Sequence, residues 1–294
     1  MPRRWRIAVT ALALAGVLAG CATPGTRPTA DKPTTPEETQ ALLKKADRAK
    51  ERGKAGEAGF YYQEVLKNDA ANADALVGMA RLMLQNGNPR AAEEMFGRAL
   101  QADPERVEAL EGRGLARLRL QKLEAAAADL KQVVDREPGR WESWNARGVI
   151  ADLQGERDRA QKHYRKALAI LPGYPKVLNN LGYSLLMAHD YAEAEAVLRR
   201  GLKKAPENPR LQTNLGLALA WQGRYERAYE VMQSALGRAE AANNVGYIAM
   251  LDGAYEAAIG YFDRAIELHP QFYSKAQRNK HRAERLAEGE GGTE

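Results

Sequence analysis

The chain has 294 residues, 45% hydrophobic and 28% charged, enough to bury one large core or two ordinary ones. Its single cysteine, Cys21, excludes an intramolecular disulfide framework and any zinc site built on several thiolates. The net charge of +6 makes no case for nucleic acid, because Arg3, Arg4 and Arg6 supply three of the excess positives and residues 21–294 carry only +3.

Met1 to Arg6 is a basic leader segment, and Ile7 to Leu18 is an apolar run of twelve residues. Twelve residues are too few to cross a bilayer core of about 30 Å as a helix, so residues 1–20 read as a secretory signal peptide. Leu18-Ala19-Gly20-Cys21 follows at once, with small residues suited to a peptidase. This order resembles the lipobox of bacterial lipoproteins. The resemblance implies that Cys21 is acylated and becomes the new N-terminus, and three acyl chains bury enough CH₂ groups, at about 0.8 kcal/mol each, for lasting membrane attachment. The other reading is an ordinary signal peptide with a stray cysteine. Ala22, where the family's inner-membrane retention signal has Asp, implies the periplasmic face of the outer membrane.

Residues 21–38 are expected to form a tether. Ala22 to Glu38 holds four prolines and five threonines without apolar periodicity, and at about 3.1 Å per residue such a segment reaches roughly 50 Å.

From Thr39 the chain repeats itself. Pro104, Pro138, Pro172 and Pro206 stand 34 residues apart, and Pro270 has the same role after one shortened unit. With these prolines at position 32, the units are 39–72, 73–106, 107–140, 141–174, 175–208, 209–238 and 239–272. Position 20 is Ala in all seven units, position 8 is Ala or Gly, and position 24 is large, as in Tyr62, Phe96, Tyr164 and Phe262. This pattern resembles the tetratricopeptide repeat, including Trp144 at position 4. The resemblance implies an all-α right-handed superhelix of about seven helix-turn-helix units, with a C-terminal capping helix.

The spacings make physical sense on their own. Apolar residues at positions 4, 7, 8 and 11, then 20, 24 and 27, mark one face of each of two successive helices. Gly87, Gly155, Gly223 and Gly253 break the chain between them, and proline at position 32 ends the second helix. No unit buries its faces alone, so the units must stack. Residues 273–294 are expected to hold a polar capping helix, rich in Lys275, Arg278, Lys280, Arg282 and Arg285, and a frayed tail.

No catalytic motif emerges. His163, His189, His269 and His281 are scattered without metal-ligand spacing, and Gly112-Arg113-Gly114 lies inside a helical unit. The expectation is a non-enzyme without a cofactor, carrying only the covalent lipid on Cys21.

A solenoid works through its surface. Positions 2, 5, 9 and 12 lie about 200° from the packed positions 4, 7 and 11, on the side that lines the concave groove in the tetratricopeptide repeat family. In the C-terminal half these are amides, aromatics and apolar groups, and the candidate partner-binding residues are Asn145, Asn179, Tyr183, Leu186, Thr213, Leu217, Asn243, Tyr247 and Met250. Amides donate to and accept from a partner's backbone, while Tyr and Met supply adaptable apolar area. The alternative is that these amides are generic to such repeats and the tyrosines pack on neighbouring helices. Position 5 is never Lys, which argues against the carboxylate clamp that holds chaperone tails.

The lipobox, the Pro/Thr tether, the last repeats (Thr213 to Ala220, Asn243 to Tyr247) and Phe272-Tyr273-Ser274-Lys275-Ala276 together resemble the lipoproteins of tight-adherence (Flp) pilus assembly, the TadD type. That resemblance implies a secretin or pilus assembly subunit as partner, a membrane reached through the lipid, and no nucleic acid. A type IV pilus pilotin, or an envelope scaffold for peptidoglycan or outer-membrane biogenesis enzymes, shares the architecture.

Overall fold

The computed structural model describes residues 35–269 and 273–289, so the signal segment, Cys21, most of the tether and Pro270 lie outside the described residues. The described residues form fifteen helices and no strand. The first three hairpins are α1 (Pro36–Glu51) with α2 (Ala55–Asn68), α3 (Ala73–Gln85) with α4 (Pro89–Ala102), and α5 (Val107–Arg119) with α6 (Leu123–Arg136). Then come α7 (Trp141–Leu153) with α8 (Arg157–Ile170), and α9 (Pro175–Met187) with α10 (Tyr191–Lys204). The last pairs are α11 (Pro209–Ala220) with α12 (Tyr225–Leu236) and α13 (Arg238–Leu251) with α14 (Tyr255–Leu268), closed by α15 (Ser274–Ala287). This is the all-helical solenoid of seven hairpins that the repeat implies.

The helix ends follow from local chemistry. Position 15 is left-handed in all seven hairpins: Gly53, Gly87, Gly155, Gly223 and Gly253 supply it without strain, while Gln121 and His189 adopt φ of 58° and 62°. The second helices α4, α6, α8 and α10 each stop two residues before their proline. The start of α1 differs from the expected tether. Pro36 to Glu38 are its first turn, because Thr35 Oγ1 accepts from the Glu38 amide at 3.2 Å and Glu38 Oε2 accepts from the Thr35 amide at 2.8 Å. That reciprocal cap, with proline at the first helical position, outweighs the Pro/Thr composition.

The large residue at position 24 locks the stack. Tyr164 is 1% exposed and lies against Gly148 at position 8 of its own hairpin, where an added Cβ would come 2.4 Å from its ring. Tyr62 and Phe96 reach forward in the same way to Gly78 and Gly112 of the following hairpin. A side chain of this size contributes about 1.5–3 kcal/mol on full burial. At the C-terminal end α15 packs on α14 and α13 with Ala276 and Ala283 fully buried, while Lys280 pairs with Asp263 at 2.6 Å. The basic helix therefore covers the last apolar face.

Candidate functional site

From α3 onward each odd-numbered helix touches the next odd-numbered helix, whereas each even-numbered helix packs mainly on its flanking odd ones. A stack with one layer in mutual contact curves with that layer inside, so the odd helices line the concave surface. Their positions 9 and 13 lie about 40° apart around a helix and point along one strip. In the first three hairpins these positions hold Asp47 and Glu51, Arg81 and Gln85, then Leu115 and Arg119. In the next four they hold Val149 and Leu153, Tyr183 and Met187, Leu217 and Trp221, then Tyr247 and Leu251. Most of these apolar groups stay in water: Leu153, Tyr183, Met187, Tyr247 and Leu251 are 39–52% exposed. Neighbouring exposed apolar groups of this kind are a common feature of surfaces that contact other proteins.

The two halves differ in electrostatics as well. The N-terminal groove is laced with ion pairs: Arg106 binds Asp74, and Arg140 reaches Glu137 at 2.6 Å, Glu108 at 3.3 Å and Glu111 at 3.4 Å. Tyr62 lies there too, its hydroxyl pushed up to about 12 by burial and by the Asp47 carboxylate that accepts its proton at 3.1 Å.

The C-terminal groove holds two adjoining clefts over α9 and α11. A cleft of about 450 Å³ is lined by Asn179, Asn180, Tyr183, Arg210, Thr213, Asn214 and Leu236. A second cleft of about 400 Å³, lined by Tyr174, Lys176 and Asn208, shares Asn179, Asn180 and Arg210 with it.

Of the sequence-predicted residues, Asn179, Tyr183 and Thr213 come together in the first cleft. Tyr247 is 39% exposed on α13, and Leu217 is half-buried on α11 between them. The remaining four lie inside the stack. Leu186 and Met250 are each 3% exposed, because position 12 is rotated towards the packed position 8 and is covered by neighbouring helices. Asn145 and Asn243 are 7% and 1% exposed, since the next odd helix covers position 5 and caps each amide: Asn180 Nδ2 donates to Asn145 at 2.9 Å and Asn279 Nδ2 to Asn243 at 3.1 Å. Asn214 does the same to Asn179 at 3.0 Å. These four residues build the groove floor from beneath.

Sequence reasoning missed position 6, where Asn180 and Asn214 stand, and the apolar position 13. The signal was available: the 34-residue register that picked position 9 also brings Leu153, Met187 and Trp221 to one strip. Among the described residues no three His, Cys, Asp or Glu side chains converge as a metal site. No described helix is long and apolar enough to cross a membrane.

Two tetratricopeptide repeat family profiles match the sequence. One covers residues 49–118, 151–213 and 185–244, and the other covers 114–175 and 237–271, so together they run from 49 to 271 without a gap. The chain belongs to the tetratricopeptide repeat family. No curated protein matches significantly. Among solved structures, a tetratricopeptide repeat protein from Parabacteroides merdae is 16% identical with a TM-score of 0.56, over 84% of this chain and 98% of that one. A tetratricopeptide repeat protein of Thermus thermophilus is 24% identical with a TM-score of 0.51, over 62% of this chain and 98% of that one. YrrB, described as having an unusual peptide-binding site, is 19% identical with a TM-score of 0.53, over 64% and 99%. These likenesses reach the fold. As a tetratricopeptide repeat protein the chain is a scaffold for contacts with other proteins.

Proposed function

We propose that this tetratricopeptide repeat scaffold holds an amphipathic helix of a partner protein along the concave face of α7 to α13, with its own N-terminus fixed to the outer membrane by lipid on Cys21. The apolar pairs at positions 9 and 13 of four successive odd helices carry the reading, with Leu153, Tyr183, Met187, Tyr247 and Leu251 exposed and Val149, Leu217 and Trp221 half-buried among them. Packed helices stand about 8–10 Å apart, so the strip offers one apolar contact roughly every 10 Å. Seven residues of an α-helix rise about 10.5 Å, which puts one side chain per two turns over each repeat. A helix also arrives with its backbone already hydrogen-bonded, as an apolar strip requires.

The finer reading is an accessory role in tight-adherence pilus or secretin assembly, with a secretin or pilus assembly subunit as the partner. It is supported by the lipobox-like Leu18-Ala19-Gly20-Cys21, the Pro/Thr segment after it, and the resemblance of the last repeats. The test replaces Tyr183, Met187 and Tyr247 together by Ser and repeats crosslinking with mass spectrometry in intact cells. Loss of at least about tenfold of the partner adducts, with the melting temperature held within about 2 °C, supports the groove. Undiminished adducts place the partner elsewhere. Adducts dominated by peptidoglycan enzymes would overturn the pilus assignment while leaving the groove intact.

A further inference from the structure

Positions 7 and 23 of a hairpin face each other across its two helices, and most hairpins fill them with matched chemistry. Lys45 lies over the Tyr61 ring at 5.8 Å, and Arg113 grips Asp129 through Nε at 2.9 Å and Nη2 at 2.8 Å. In later hairpins the same positions hold Leu181 with Val197 and Leu215 with Val231. The α7–α8 hairpin breaks the rule, because its pair is Arg147 with His163. Both side chains carry a buried nitrogen without a partner, Arg147 Nε and His163 Nδ1, and His163 is only 9% exposed. A buried polar atom left unpaired is destabilising, which asks for a reason.

The preceding hairpin shows what an arginine here takes. Arg113 and Arg117 are met by two carboxylates: Asp129 of α6, which Arg117 also reaches at 2.8 Å, and Glu93 of α4, which accepts from Arg117 at 3.1 Å. In the 34-residue register Asp129, the partner of Arg113, becomes His163, while Arg117 and its partner Glu93 become Ala151 and Ala127. Ala127, Arg147, Ile150, Ala151 and His163 line a recess with space of about 10 Å³, room for a single oxygen atom, and the exposed Gln154 and Arg159 border it.

Its surroundings are cationic. Arg147, Arg159 and Lys166 all act on His163, and Lys166 lies 4.2 Å over the Trp144 ring, which itself sits 5.5 Å from the His163 ring. The acids that act on the pair are engaged elsewhere, Glu156 with Arg159 at 2.6 Å and Asp135 with Lys131 at 2.6 Å.

We propose that this recess between α6, α7 and α8 binds a carboxylate, one of whose oxygens accepts hydrogen bonds from Arg147 Nε and from His163 carrying its proton on Nδ1. An Asp, Glu or C-terminal carboxylate supplies that chemistry, and so does a small free acid. The recess is separate from the apolar strip at positions 9 and 13, so its failure would leave the groove reading untouched.

The test follows the Trp144 indole and His163 imidazole resonances by ¹⁵N NMR on the full chain. The probes are acetate, the blocked peptide acetyl-AAEAA-amide and its Gln counterpart. Acetate is expected to shift both resonances saturably and to raise the His163 pKa by about one unit or more, because an anion favours the imidazolium. An equal response to the Glu peptide, with none to the Gln peptide, assigns the site to a protein side chain; a response to acetate alone assigns it to a free acid. Arg147→Leu should weaken the response at least about tenfold. His163→Asp rebuilds the Arg113–Asp129 arrangement, and it should abolish the Trp144 response and raise the melting temperature by about 2–4 °C. No shift with either carboxylate in the wild type overturns the proposal, as does a wild-type response from His163→Asp.

Discussion

Asn180 Nδ2 donates to the Oδ1 of Asn145 across 2.9 Å, joining α9 to α7 inside the concave wall. The same amide step recurs from Asn214 to Asn179 and from Asn279 to Asn243, at 3.0 and 3.1 Å. Position 5 of one repeat is thus satisfied by the following odd helix, and the concave surface is cross-braced by neutral groups where its N-terminal half uses ion pairs.

Removing the donor should be costly where the acceptor is buried. Asn180→Ala strands the Asn145 carbonyl, which is 7% exposed, and is expected to cost about 1–3 kcal/mol. Asn214→Ala should cost less, because Asn179 is half-buried and water can replace the donor. Thermal melts of the two variants, followed by circular dichroism, give the comparison; equal losses would contradict the burial argument.

Gly148→Ala should destabilise by about 1–3 kcal/mol or more. The new Cβ meets the Tyr164 ring, and that ring cannot retreat without losing the hydrogen bond from its hydroxyl to Asp152 at 2.8 Å. Asp152 also accepts from Ser184 of α9 at 2.7 Å, so hydrogen exchange should accelerate across α7 to α9 together. Gly97→Ala is the control: its Cβ meets open space on α4, and helix propensity predicts a gain of up to about 1 kcal/mol.

Stability should fall in two steps on acidification. Burial, helped by Arg147, Arg159 and Lys166, pushes the His163 imidazole down from 6.5 to about 4. The unfolded chain therefore binds a proton that the folded chain refuses between those values, and stability declines as pH falls from 6.5 towards 4. Burial pushes the Glu93 and Glu195 carboxyls up, but hydrogen bonds to Glu93 from Lys122 and Arg117, and to Glu195 from Gln222 and Arg224, outweigh it and hold both below the usual carboxylate range. Their contribution is full above the unfolded value of 4.5 and is lost as pH falls through their lower folded values. His163→Val should flatten only the upper step, measured as melting temperature against pH from 7.5 to 3; an unchanged upper slope would sink the assignment.

If the proposed anchoring holds, Cys21→Ser should abolish outer-membrane fractionation with an unchanged helical circular dichroism spectrum. Unchanged outer-membrane fractionation of the Ser variant would refute anchoring through this cysteine.

The repeat register was fully legible because its determinants are local and recur: alanine at position 20, a small residue at 8 and a left-handed residue at 15 act within one hairpin, and the large residue at 24 reaches no further than the next one. Sequence alone therefore determined seven hairpins, their turns, the closing helix and the outward side at position 9. Three of the nine candidate groove residues, Asn179, Tyr183 and Thr213, were brought into one cleft by that reasoning. Only the tertiary structure decided that Asn145, Asn243, Leu186 and Met250 lie beneath the surface, since whether a helix face meets water depends on how closely the next helix curves over it. The same holds for Arg147 and His163, whose mismatch appears only when the two helices are packed and the Asp129 carboxylate that serves Arg113 is seen to be replaced by His163 one repeat later.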